Sequence, residues 1–299
     1  MVFTCPIRAY NIAAPKGAGF HYLVKKGFIG TIYSTKETSR LLPLSLWDCY
    51  KVLKDSAKRK RERTLYKPDD VEETLKKVEG CKFGKKVQIH RNVTVTFLTN
   101  GHLVGAALIY VQISYPGYQD INLLFTGDYK SSNVFFDVNP IPEEILNKPL
   151  TIIQESTYGD MDEEEIKPCF KDNLLKCIHN GGTVVVPVFS LGRSQEILYV
   201  LKKMQENGEL IQDVPIYLDG NLAIRYTYLY LHGLLGIRKD MLDFLPKNFT
   251  IVDKTIRPSI LADSGCKIIL STSGMGLFVL CLQSSSNSKG TPDSGVLFF

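Results

Sequence analysis

Hydrophobic positions change period several times along the chain, and each change marks an element. From Lys36 to Lys60 apolar residues at Leu42, Leu46, Tyr50 and Leu53 recur every three or four positions, which predicts one long amphipathic helix. A second helix is predicted from Pro68-Asp-Asp through Val71, Leu75 and Val78, because proline fits a first turn and acidic side chains suit the positive helix end. From Val87 the period drops to two. Val93 to Phe97, Ala106 to Ile113 and Asn122 to Phe125 read as strands, with Tyr115-Pro-Gly-Tyr118 as the turn of a hairpin between the last two. Leu150-Thr-Ile-Ile153 predicts another buried strand. Upstream, Tyr22 to Gly27 reads as a helix end stopped by glycine and Gly30 to Ser34 as a short strand, while the first twenty residues show little pattern.

The second half alternates strictly. A helix carrying Phe170, Leu174, Leu175 and Ile178 stops at Gly181-Gly182. Thr183 to Val188 is a core strand in which Pro187 marks an end or an edge. Ser194 to Met204 is helical, Pro215 to Leu218 extended, Ala223 to Leu235 helical and Lys267 to Leu270 extended. Such βαβα order implies a mostly parallel sheet with helices on both faces. The tail from Ser284 reads as a loop, and the strand-like ending at Gly295 to Phe299 reads as the mark of a truncated chain.

Composition narrows the class. With 299 residues, 44% of them hydrophobic, the chain holds one large or two ordinary folded domains and is not a disordered or collagen-like protein. Its seven scattered cysteines contain no C-x-x-C pair, so a reducing compartment is expected and a disulfide framework is not. No stretch of eighteen apolar residues is present, so no membrane span is expected; the expected setting is intracellular, cytoplasmic or, in a eukaryote, nuclear. The net charge of +5 permits an anionic partner without requiring one. Basic residues crowd between Lys51 and Arg63, seven of thirteen positions; these read either as phosphate contacts or as a solvated helix end.

Three segments put metal-ligand or acid–base residue types just after a strand: Thr99-Asn-Gly-His102-Leu-Val-Gly105, Leu124-Phe-Thr-Gly-Asp128 and Ile152-Ile-Gln-Glu155-Ser-Thr-Tyr-Gly-Asp160. In α/β proteins such strand ends form sites, and a histidine with two or three carboxylates there is the donor set of a zinc-bound water. The bland alternatives are a hydrogen-bonded loop histidine, an ordinary Gly-Asp turn and a helix cap at Asp160. Arg193 follows Ser190-Leu-Gly192 at a strand-to-helix junction, where either phosphate binding or capping and packing accounts for it. His179 and His232 read as surface or packing residues. Trp47, Tyr226, Tyr228 and Tyr230 read as core or boundary aromatics.

The ordered set Gly101-His-Leu-Val-Gly-Ala-Ala107, Phe125-Thr-Gly-Asp-Tyr129, Glu155-Ser-Thr-Tyr-Gly-Asp160, Pro187-Val-Phe-Ser-Leu-Gly-Arg-Ser-Gln-Glu196, Ile216-Tyr-Leu-Asp-Gly220 and Ser271-Thr-Ser-Gly-Met275 resembles the β-CASP group of metallo-β-lactamase-fold nucleases, which includes ribonuclease J and the cleavage and polyadenylation endonuclease. The resemblance runs from about Tyr22 to Met275. It implies an α/β fold: a partial αββα sandwich over 1–165, then a β-CASP α/β domain with a mostly parallel sheet over 166–299. It also implies a zinc-dependent phosphodiester hydrolase of RNA, less often DNA, holding two zinc ions. His102 would then be a metal ligand, Asp128 the carboxylate bridging the metals and Glu155 the acidic residue that supports a general-acid histidine. Arg193 and Ser190 would bind substrate.

The departures from that pattern are as informative. Where the family has His-x-His-x-Asp-His, this chain reads Asn11-Ile-Ala-Ala-Pro-Lys16; neither His21 nor His90 has the spacing to substitute, and Gly276 to Leu282 does not match the family's continuation. One histidine and one bridging aspartate do not make a two-zinc site. The expectation is an impaired version of a ribonuclease, with a non-catalytic scaffold or regulatory partner of an active paralogue, in a homo- or heterodimer, as the alternative. His102, Asp128 and Glu155 should still converge on one rim, where like-charge repulsion would raise the pKa of at least one of Asp128 and Glu155 if the two are close and screened from solvent.

Overall fold

A computed structural model of the chain describes residues 2–3, 19–157, 159, 170–233, 236–272 and 295–296. The chain divides into two compact units, Met1–Thr157 with Leu234–Lys239, and Tyr158–Gly233 with Asp240–Phe299.

The first unit is layered. Strands β1 (Val2–Phe3), β2 (Ile32–Thr35) and β3 (Val78–Cys81) form a parallel three-stranded sheet. Helix α1 (Gly19–Lys25) lies against α3 (Pro68–Lys76), and the long α2 (Lys36–Lys60) runs between β2 and α3. Thr35 caps α2, its Oγ1 accepting from the Thr38 N–H at 3.1 Å, and Arg61 ends the helix in the left-handed region at φ 57°. The buried stripe Leu42, Leu46 and Cys49 packs on Tyr66 and Val71, as the helical period requires.

The second sheet has the order β4 (Lys86–His90), β5 (Val93–Thr99), β6 (Ala107–Ile113), β7 (Ile121–Phe125), β8 (Thr151–Ile153). One face, with Val95, Phe97, Ala107 and Val111, packs against Tyr33 and Cys81 of the first sheet. The other face, with Leu98, Leu108, Tyr110 and Leu124, is covered by Ile145 of the short helix α4 (Glu143–Leu146) and by Ile141. The layers are therefore helix, sheet, sheet, helix, the αββα sandwich.

The second unit carries α5 (Phe170–His179), β9 (Thr183–Pro187), α6 (Arg193–Glu206), β10 (Ile216–Asp219), α7 (Asn221–Leu231), β11 (Phe249–Val252), α8 (Arg257–Ala262), β12 (Lys267–Ser271) and β13 (Gly295–Val296). Its five strands are all parallel, in the order β11-β10-β12-β9-β13. Val185 and Ile269 pack with Ile260 of α8, while the alternate residues Val184, Val186, Ile268 and Leu270 are equally buried. Both faces are thus covered, which is why these strands read as continuous apolar runs.

Some expectations are corrected in detail. Val78 opens β3 rather than closing α3. The strand at Leu150 to Ile153 exists, but it is an edge strand whose side chains face solvent, Ile152 at 53% and Ile153 at 47% exposure. The helix predicted to reach Leu235 ends at Leu231. Pro187 marks the end of β9 and not an edge, since β12 and β13 flank the strand. Among the described residues no helix is long and apolar enough to cross a membrane.

Candidate functional site

β5 and β7 are each antiparallel to β6, so they run the same way, and β8 is parallel to β7. Their C-terminal ends, Thr99, Phe125 and Ile153, therefore share one edge of the sheet. His102, Asp128 and Glu155 each follow one of these ends within three residues, and each is half-buried.

Hydrogen bonds tie the three segments together. Asn100, buried at 2% exposure, is the central group. Its Oδ1 accepts from the His102 N–H at 3.1 Å, and its Nδ2 donates to the carbonyl oxygens of Thr126 at 3.3 Å and Asp128 at 3.1 Å. Its backbone oxygen accepts from the Lys130 N–H at 2.9 Å. The Glu155 N–H donates to Thr126 Oγ1 at 3.3 Å, and Asn133 Nδ2 donates to the Gly101 carbonyl at 2.9 Å. Gly101 is required here. At φ 71° a Cβ would lie 2.3 Å from the Lys130 carbonyl oxygen. The far end of the loop docks on α2, where Thr35 and Thr38 hydroxyls both donate to the Gly105 carbonyl, at 2.7 and 2.9 Å.

Electrostatics at this edge differ from the expected repulsion. Glu155 is held below its ordinary pKa, first by the hydroxyl and backbone N–H of Thr157, the latter 2.8 Å from Oε2. The Tyr129 N–H and the nearby His102 ring add to the effect. A solvated carboxylate with three donors keeps its charge, so the rise anticipated from like-charge crowding does not occur at Glu155.

Ser190 and Arg193 belong to the second unit, between β9 and the start of α6. The backbone N–H groups there donate internally: Gly192 to Gln195 Oε1 at 2.7 Å, Arg193 to the Leu191 carbonyl at 3.1 Å and Ser194 to the Phe189 carbonyl at 3.2 Å. The Ser190 carbonyl accepts from Gln195 Nε2 at 3.3 Å. What Arg193 offers an anion is therefore its guanidinium, 38% exposed and paired with Glu196 at 2.8 Å. His179 and His232 are on the surface, the latter stacked on Tyr228, and neither joins a site. Tyr226 and Tyr230 are core residues.

A catalytic zinc takes three protein ligands and a water. Among the described residues no three His, Cys, Asp or Glu side chains are close enough to hold a metal ion, so His102 and Asp128 by themselves do not fit one. Asn11 to Lys16, Asp160 and Gly276 to Leu282 lie outside the described residues. The sequence reading missed Asn100 and Thr126, the groups that join the three segments. An Asn immediately before Gly-His was the available signal.

The profile described as "Beta-Casp domain" matches residues 194–278. An RNase J-like protein of Methanocaldococcus jannaschii is 31% identical over 253 residues, covering 82% of this chain and 55% of its own length. The chain belongs to the β-CASP group of metallo-β-lactamase-fold proteins. Within this group, the transcription termination factor FttA of Methanosarcina mazei is 33% identical over 272 residues, 85% of this chain and 40% of its own length. The endoribonuclease ysh1 of Schizosaccharomyces pombe is 28% identical over 268 residues, 86% of this chain and 34% of its own length. This β-CASP chain thus spans from about a third to just over half of these relatives. The shared part extends well beyond the β-CASP match into the αββα unit that carries His102, Asp128 and Glu155.

Proposed function

We propose that this chain is a ribonuclease-type phosphodiester hydrolase of RNA processing by descent, and that it is catalytically impaired as it stands. What supports the reading is that the loops carrying His102, Asp128 and Glu155 leave the same sheet edge and are hydrogen-bonded to one another through Asn100 and Thr126. In this reading His102 and Asp128 are the residual ligands of a zinc centre. Glu155 stays ionised at neutral pH, so it accepts an N–H and orients an imidazole; it cannot be the proton donor itself. Arg193 and Ser190 contribute to holding the RNA phosphates, through a guanidinium and a hydroxyl. Impairment rests on the sequence, where Asn11 to Lys16 stands in place of the family's His-x-His-x-Asp-His.

The same departure favours a second reading, a non-catalytic partner that pairs with an active paralogue. Incubation of the chain with end-labelled single-stranded RNA and added Zn²⁺ or Mn²⁺ tests the proposal. Bound but uncut RNA is the expected result. Metal-dependent cleavage that disappears in Asp128→Ala would overturn impairment, and failure to bind RNA at all would overturn the ribonuclease-type reading. Preferential binding of a paralogue over RNA would favour the partner role.

A further inference from the structure

The charge of this protein is concentrated in one place. Between Lys51 and Arg63 there are seven basic residues and two acidic ones, a surplus of five, equal to the net charge of the whole chain. The remaining chain is electrically balanced. This segment forms nearly the last three turns of α2 and the loop after it. At about 100° per residue, Lys51, Lys54 and Lys58 fall within roughly 60° of one another, opposite the buried stripe of Leu42, Leu46 and Cys49. All three are exposed, as are Arg61 and Arg63 beyond the helix end.

These cations are not spent on internal pairing. Among the described residues none of Lys51, Lys54, Lys58, Arg61 and Arg63 has a carboxylate within ion-pair distance. Elsewhere Lys76, Lys171 and Lys203 each have one, to Glu73, Glu209 and Glu206. Lys25 Nζ donates to the Leu65 carbonyl at 2.7 Å, which brings the basic end of α1 beside the same loop. Lys54 lies 5.9 Å from the centre of the Tyr50 ring and Lys26 5.3 Å from that of Tyr22, so aromatic faces accompany the strip.

We propose that this face of α2, with the 61–63 loop, is a phosphate-binding strip for single-stranded RNA, separate from the His102 edge. The proposal rests on the RNA reading above. A backbone of phosphates fits better than a folded protein partner, because lysine is depleted from the cores of protein interfaces and is the usual phosphate contact. Placement adds a consequence. The N-terminal turn of α2 holds the His102 loop through the Gly105 carbonyl, and Lys51 lies fifteen residues further along the same helix. At 1.5 Å per residue the strip begins about 22 Å from that end of the helix. It therefore engages long RNA and adds little for an oligonucleotide of a few residues.

The test is equilibrium binding of the full chain to a labelled thirty-nucleotide single-stranded RNA across a salt series. Lys51→Gln/Lys54→Gln/Lys58→Gln is compared with Lys76→Gln/Lys171→Gln/Lys203→Gln, which removes the same charge from paired sites. The strip variant should bind on the order of ten-fold more weakly at low salt, with a log–log salt slope shallower by about two; the control should stay near the unaltered chain. Equal losses in both variants, or none in either, would overturn the strip while leaving the ribonuclease-type reading intact. No RNA binding by the unaltered chain would overturn both. Salt-sensitive binding of poly-glutamate that depends on Lys51, Lys54 and Lys58 and is not matched by RNA would assign the strip to an acidic protein instead.

Discussion

Asn100 does more for the candidate site than any residue with reactive chemistry. Its amide satisfies one N–H and two carbonyl groups on two different loops, in a place sheltered from water. Removing it takes away three hydrogen bonds, so Asn100→Ala should lower stability by about 1–3 kcal/mol, read as a fall in the urea midpoint at constant slope. Glu37 shows the opposite situation. Its side chain is buried, its Oε2 has no hydrogen-bond partner among the described residues, and burial pushes its pKa above the ordinary 4.5. A carboxyl whose folded pKa is raised favours folding while protonated, and that benefit is lost as pH climbs from about 4.5 through the raised value. Glu37→Gln should therefore match the native chain in thermal midpoint near pH 4 and exceed it at pH 7. A difference that does not grow with pH would show that the carboxyl titrates normally.

At the scale of elements, α2 links the sandwich core to the His102 loop. Its cap residues Thr35 and Thr38 both reach the Gly105 carbonyl, and Gly105 sits at φ 79° with a Cβ position 2.8 Å from the Thr38 nitrogen. Gly105→Ala meets both backbone strain and this close approach. Gly117→Ala, at φ 80° with nothing within 4 Å, meets only the strain. Thermal denaturation should show about 1 kcal/mol lost at Gly117 and clearly more at Gly105. The hairpin of β6 and β7 and the long helix were legible from sequence because their periods are local properties. The four-residue α4 and six-residue α8 were not, since elements this short span fewer than two helical turns, and β11, Phe-Thr-Ile-Val, was not singled out.

The whole molecule carries an αββα unit and a parallel β-CASP unit, and its donor set for metal is short among the described residues. Dialysis of the 299-residue chain against trace zinc, followed by elemental analysis, should find well under two zinc ions per chain. Two tightly held ions would mean that further ligands come from outside the described residues. The ordered motifs from His102 to Ser271 made the family readable, since each motif is a strand end with a characteristic next residue.

Sequence alone determined the alternation of helix and strand, the parallel character of the second unit and the family. Each of these follows from side-chain period and from motif order along the chain. Tertiary structure decided the rest. That β8 is an edge strand with Ile152 and Ile153 in solvent depends on which strand lies beside it, and an apolar run does not state its neighbours. That Asn100 ties Asp128 to His102 depends on β5 and β7 running the same way, twenty-eight residues apart in the chain. That the Tyr129 N–H and the His102 ring add to the local Thr157 donors at Glu155 depends on three strand ends sharing one edge. Pairings between distant segments are set by packing the whole core at once, and no window of sequence contains both partners.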